Sequence, residues 1–183
     1  MRGVAKMNRT NSPGGKSGSN LRGLVLAGLL TALVFVATMA LHIPNGLGGV
    51  IHLGDSMIFL AAIVFGWRYA MVSGAIGMAL FDILSPYAIW APYTFIIKGV
   101  MGLLVGMIAW SGGQKGHSLS KNIVAMVVGS VWMIIGYYFA EWMIYGSAIA
   151  PLASVLGNVI QAAGGMIIAI PLITALKRVK FFQ

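Results

Sequence analysis

The chain has 183 residues, 59% of them hydrophobic and only 8% charged, with a mean hydropathy of +0.92. That is too little charge to cover a water-soluble surface, so lipid is the solvent. The formal charge of +9 is not a nucleic-acid footprint, because the basic residues fall between hydrophobic runs, and the absence of cysteine excludes disulfides, thiolate metal sites and cysteine nucleophiles.

A bilayer core about 30 Å thick takes roughly 20 apolar residues per helix. The length therefore suits about six spans, and the expected fold is an all-α polytopic membrane protein with six transmembrane helices. Residues 1–20 read as a flexible basic cytoplasmic tail and 21–180 as a six-helix membrane domain. The tail contains GGKS, which resembles a phosphate loop. The first glycine of such a loop would fall on Thr10, and no strand precedes it, so it is not a nucleotide site.

The first hydrophobic segment, Leu21 to Leu41, has small residues at helical spacing: Gly23, Ala27 and Thr31 on one row, Gly28 and Ala32 on another. Such rows let a second helix approach closely, either within the protein or on a partner subunit. The next stretch, IPNGLGGVIHLG, reads as a partly extended, re-entrant-like loop. Irregular backbone at membrane depth needs protein or water to satisfy it, so the loop is expected to cover a cavity. The second helix, Asp55 to Gly66, has 12 residues and covers only roughly 18 Å.

The third and fourth segments, Tyr69 to Leu84 and Pro92 to Trp110, flank the hinge FDILSPYAIWAPYTFIIKG. Lys98 sits roughly 9 Å below the start of the fourth helix. An intramembrane lysine is costly and asks for a partner or a role. Asp82, across the hairpin, is the expected ion-pair partner; the other reading has Lys98 lining a pocket. Tyr87, Trp90 and Tyr93 suit an interfacial belt, and Trp90 with Tyr93 equally suits a stacking wall for a flat ring.

The fifth segment, Asn122 to Tyr145, carries Tyr137, Glu141 and Tyr145 at i, i+4, i+8. The sixth, Pro151 to Leu176, carries Ser154, Asn158 and Gln161 on one face. A carboxylate, two amides and tyrosines in one membrane half read as a small-molecule pocket; the same amides also serve as interhelical glue. His42, His52 and Asp55 have no spacing that requires a metal, and neither a metal nor a cofactor is expected.

Basic residues occur in the first 22 residues, at Arg68, at Lys115 and Lys121, and at Lys177, Arg178 and Lys180; the segments 42–54, 86–91 and 146–150 have none. The positive-inside rule then places both termini in the cytoplasm, with Lys98 the one exception.

His52 to Gly106, HLGDSMIFLAAIVFGWRYAMVSGAIGMALFDILSPYAIWAPYTFIIKGVMGLLVG, resembles the substrate-binding S components of energy-coupling factor (ECF) transporters, the bacterial vitamin importers. It looks closest to the hydroxymethylpyrimidine, vitamin B6 and riboflavin-type branch. The likeness extends over nearly all of 21–180. It implies a subunit of the bacterial cell membrane that binds a water-soluble vitamin or precursor from outside and has no ATPase of its own. Its partners would be a transmembrane coupling subunit and two cytoplasmic ATPases. The ligand would meet the loop between helices one and two and helices four to six, hence His52, Trp90, Tyr93, Lys98, Tyr137, Glu141, Asn158 and Gln161. The first helix would dock on the coupling subunit through Ala27, Gly28, Thr31 and Ala32, with Gly23 on the same small face; Thr31 departs from a strict alanine pattern. Hydroxymethylpyrimidine or a vitamin B6 form is the expected ligand, with riboflavin as the alternative. A self-sufficient transporter or channel lacks an evident hydropathy repeat. An intramembrane enzyme lacks HExxH, GxSxG or paired acids.

Overall fold

The structure, a computed structural model, describes residues 14–44 and 50–179. Most of the predicted tail (1–13), the tip of the predicted loop (45–49) and Lys180 lie outside the described residues. Helix α1 spans Gly14–Ala40, so residues 14–20, expected in the tail, are helical. A short antiparallel pair, β1 (His42–Pro44) and β2 (Val50–His52), follows with His42 opposite His52. This is the extended segment that the glycine-rich sequence predicts.

Helix α2, Gly54–Leu60, runs straight into a π-helical turn, Ala61–Phe65. Gly66 then breaks the chain at φ +96°, a backbone region that glycine adopts without strain. Helix α3 spans Trp67–Ile83, and a 3₁₀ turn, Ala88–Trp90, leads into α4, Ala91–Ala109. Pro92 stands in the first turn of α4, where its missing N–H costs nothing. Helix α5 covers Leu119–Tyr145 with Ser118 as its cap, and α6 covers Leu152–Lys177.

Apolar side chains are on the outside as well as the inside. Leu24, Leu29 and Val36 on α1, Val124, Val131 and Phe139 on α5, and Leu156 and Ile167 on α6 are all exposed. Polar side chains are turned inward: Thr38, Asp55, Ser73, Lys98, Glu141 and Gln161 are buried. This is the arrangement lipid selects, because it offers no hydrogen bonds to a polar group. Among the described residues four helical stretches, Asn20–Ala40, Ala88–Ala109, Leu119–Tyr145 and Leu152–Lys177, are long and apolar enough to cross a bilayer. Helix α3 and the α2 unit are shorter.

Helices α3 and α4 pack closest. A Cβ at Gly102 would fall 2.5 Å from the Ala70 carbonyl oxygen, and one at Gly106 would strike the Trp67 backbone. Glycine is what allows these two backbones to touch, the usual device between helices in lipid. On α1, Leu30, Val34 and Thr38 form the buried row at i, i+4, i+8. Trp132 Nε1 donates to the Ile97 carbonyl at 3.0 Å and ties α5 to α4.

Candidate functional site

A pocket lies where the hairpin, α3, the 3₁₀ turn, α4, α5 and α6 converge. His52 comes from β2, Met78 and Asp82 from α3, Tyr87 and Trp90 from the hinge, and Thr94 from α4. Tyr137 and Glu141 come from α5, Asn158 and Gln161 from α6. Helical periodicity explains the selection. Met78 and Asp82 are one turn apart, as are Trp90 and Thr94, and Tyr137 and Glu141. The pocket encloses about 40 Å³.

Trp90 forms the aromatic wall. It meets Tyr137 and Tyr145 edge-on, with ring centroids 6.4 and 6.3 Å away. Tyr87 stacks on Phe81 at 6.2 Å. Tyr137 Oη and Thr94 Oγ1 are 3.2 Å apart. Asp82 Oδ2 and Glu141 Oε2 are buried without a hydrogen-bond partner among the described residues. A buried acceptor without a donor is costly, so a donor reaching either oxygen would be stabilising here.

Directly beneath lies the charged centre of the molecule. Lys98, fully buried, donates to Asp55 Oδ1 at 2.5 Å. Its ammonium also lies 2.8 Å from Met133 Sδ and 5.4 Å from the centroid of the Tyr137 ring. Asp55 Oδ2 accepts from Gln161 Nε2 at 2.7 Å, and Gln161 Oε1 accepts from the His52 N–H at 3.2 Å. The network thus runs from α4 through α2 and α6 to the hairpin. His52, outside the spanning helices, is held neutral: burial pushes its pKa down to about 4, against the pull of Asp55. Its Nδ1 accepts from the Gly54 N–H at 3.2 Å.

Two sequence expectations are corrected here. Lys98 pairs with Asp55 rather than Asp82, because α2 begins deep enough to bring its acid to the depth of the lysine. Asp82 instead faces the pocket. Tyr93 does not join Trp90; it turns to a lateral groove with Ile96, Trp132 and Phe139. The remaining predicted pocket residues, His52, Trp90, Tyr137, Glu141, Asn158 and Gln161, are gathered around the cavity. Asp82, Thr94, Tyr87 and Met78 were not foreseen there. The i, i+4 step from Trp90 to Thr94 to Lys98 was the available signal for Thr94. Among the described residues no three of His, Asp and Glu gather as a metal would need. His42 is exposed, with Nδ1 2.8 Å from the Met39 carbonyl.

The small residues of α1 divide between two sides. Gly23 faces the Tyr69 hydroxyl, and the Thr31 carbonyl lies against Gly77 of α3. Thr31 Oγ1 donates to the Ala27 carbonyl at 2.8 Å. Gly28 and Ala32 are exposed, and a Cβ at Gly28 would meet nothing within 4 Å.

A family model described as "ECF-type riboflavin transporter, S component" matches residues 18–178. The chain belongs to this S-component family. It is therefore a membrane-embedded, substrate-binding subunit of an ECF-type transporter and not an enzyme. Two relatives accompany the match. The S component is 34% identical over 136 residues to a Pyrococcus woesei protein described as "Uncharacterized protein in gap 3'region", covering 74% of this chain and 88% of the relative. It is 30% identical over 152 residues to the thiamine precursor transporter HmpT of Lactococcus lactis subsp. cremoris (strain MG1363), covering 82% and 84%.

Proposed function

We propose that this S component captures a small, uncharged or cationic vitamin precursor that bears hydrogen-bond donors, best matched by hydroxymethylpyrimidine. The observation that carries the reading is the pair of buried carboxylate oxygens, Asp82 Oδ2 and Glu141 Oε2, at one aromatic-walled pocket. An aminopyrimidine supplies what they lack. Its exocyclic amine and its hydroxymethyl group donate on different edges of a flat ring, and the ring itself suits Trp90 and Tyr137. Asn158 can both donate and accept at the ring nitrogens. Among the described residues no lysine or arginine lines the pocket, and Lys98 is committed to Asp55. A phosphate group would therefore meet two acids and no cation. The 40 Å³ enclosed is small beside ligand clefts of roughly 300–1,000 Å³, so seating even one ring requires the walls to part, and a tricyclic flavin requires more. The thiamine precursor transporter among the relatives supports the same choice.

Around this site the six helices cross the membrane with both termini in the cytoplasm, as the basic residues direct. The pocket then faces outward. Transport is energised by a transmembrane coupling subunit with two cytoplasmic ATPases, docked on the small-residue face of α1 at Gly28 and Ala32. Vitamin B6 forms remain within the same donor chemistry. Riboflavin is the second reading, favoured by the description of the family.

Isothermal titration of the purified S component separates these readings. Hydroxymethylpyrimidine is expected to bind tightest, pyridoxine and pyridoxamine more weakly, and hydroxymethylpyrimidine phosphate not measurably. Saturable riboflavin binding without pyrimidine binding would overturn the proposal.

A further inference from the structure

A second cavity, of about 270 Å³, opens between the first turns of α5 and the last turns of α6. Asn122 lines it, whereas Glu141 lines the vitamin pocket; the 19 residues between them on α5 measure about 28 Å. That is close to the hydrocarbon thickness of a bilayer, so the two cavities lie near opposite membrane faces.

The second cavity has three chemically distinct parts. Its floor is apolar: Met126 and Ile173 are buried, and Ile170 adjoins them. Its rim is cationic through Lys177 and Arg178, with the His117 imidazole beside them. Lys177 spends one N–H on the Lys115 carbonyl at 2.6 Å, which leaves two donors. No acid offsets these charges, since the three acids of the chain are Asp55, Asp82 and Glu141. The third part is Asn122, which is 5% exposed. Its Nδ2 donates to the Gly116 carbonyl at 2.9 Å, which fixes the amide orientation. Its Oδ1 is then an acceptor, buried and without a partner among the described residues. The cavity thus asks for an anion at the rim, a hydrogen-bond donor deeper in, and an apolar body below.

We propose that this cavity binds an anionic phospholipid whose headgroup carries a hydroxyl, of the phosphatidylglycerol type. The phosphate sits among Lys177, Arg178 and His117. A headgroup hydroxyl donates to Asn122 Oδ1, and an acyl chain covers Met126, Ile170 and Ile173. Basic pockets between helices at a membrane interface take lipid headgroups by this combination of charge and apolar floor. A free phosphate would leave both the floor and Asn122 unsatisfied. A zwitterionic lipid would bring an ammonium into a cationic rim. The proposal rests on the chain spanning a membrane, and not on which vitamin is bound.

Native mass spectrometry of the full-length chain in detergent tests it, with phosphatidylglycerol, phosphatidylethanolamine and phosphatidic acid of matched acyl chains, and inorganic phosphate as separate probes. Phosphatidylglycerol should be retained at least about tenfold better than phosphatidylethanolamine. Lys177→Gln combined with Arg178→Gln should weaken that retention on the order of thirtyfold, as expected for two interfacial cations. Phosphatidic acid has the anion without the glycerol hydroxyl, so Asn122→Leu should erase the preference for phosphatidylglycerol over it. Vitamin affinity, read in parallel, reports that each variant is folded. Equal retention of phosphatidylethanolamine, or retention unchanged in the double variant, would mean annular lipid only and would overturn the proposal. Binding of inorganic phosphate that displaces the lipid would do the same. So would lipid binding that appears only after residues 180–183 are removed, because the cavity would then belong to the chain's own end.

Discussion

Removing the Lys98 ammonium is the sharpest perturbation of this molecule. In Lys98→Met the side chain keeps much of its volume, but Asp55 retains only the Gln161 Nε2 donor at 2.7 Å. Both ions are fully buried, so the stranded carboxylate has no access to water. Breaking such a pair costs about 3–5 kcal/mol. For a chain of this size 1 kcal/mol moves the melting temperature by roughly 2–4 °C, which gives a loss of about 6–20 °C. Asp55→Leu should cost as much, because it strands the ammonium. The double variant Lys98→Met/Asp55→Leu should recover most of the loss, since a buried pair is often no more stable than apolar residues in its place. Lys98→Met/Asp82→Asn should recover nothing. Thermal unfolding in detergent, followed by tryptophan fluorescence with and without ligand, reads all four variants. A Lys98→Met protein that melts with the wild type would refute the reasoning, as would rescue through Asp82 instead of Asp55.

Three further outcomes follow from the same geometry. Glu141→Gln and Asn158→Ala should each weaken vitamin binding roughly 5- to 150-fold, the value of about 1–3 kcal/mol for a buried polar contact; wild-type affinity by titration would remove them from the site. Gly28→Leu should abolish uptake in cells while leaving vitamin affinity intact, because it fills a close-approach face on α1; lost binding with intact assembly on the coupling subunit would contradict that assignment. Gly102→Ala should destabilise by about 1–3 kcal/mol through overpacking against Ala70, whereas Gly164→Ala, with nothing within 4 Å of the new Cβ, should melt unchanged.

Much of the fold was legible because lipid imposes simple rules. Apolar runs marked the long helices, and the extent of the second helix, 12 residues, matches Gly54–Phe65. The extended loop before it was signalled by glycine and proline. Spacing also put Tyr137 and Glu141 on one side of α5. Pairings between distant segments were not legible. Asp82 was assigned to Lys98 because the two flank a hairpin, yet Asp55, 43 residues away, is the partner. Depth carries the information that hairpin adjacency lacks. A 12-residue helix is too short to reach both faces by itself and needs the extended hairpin to complete its span, so its first residue begins well inside, near the level of a lysine two turns into α4. Closeness in sequence to Trp90 does not place Tyr93 beside it in space. On a helix, Trp90, Thr94 and Lys98 share a row, and Tyr93 falls off it. The early start of α1 at Gly14 had no signal, since its first residues are glycine, lysine and serine.

The Lys98–Asp55 pair also has a consequence for how the protein is made. Synthesis proceeds at about 5–20 residues per second, and 43 residues separate the two ions. For roughly 2–9 s the growing chain therefore holds an acid without its cation, on a helix too short to cross alone. Translocon scales charge about 2.5–3.5 kcal/mol for such a group. We expect α2 to wait at the membrane surface until α4 emerges and to enter with it. Gln161 arrives last, 106 residues after Asp55, and closes the network. Ribosome-arrested chains ending just before and just after α4 would reveal this order by protease accessibility around residue 55. Protection already present in the shorter chain would mean that α2 enters unaided.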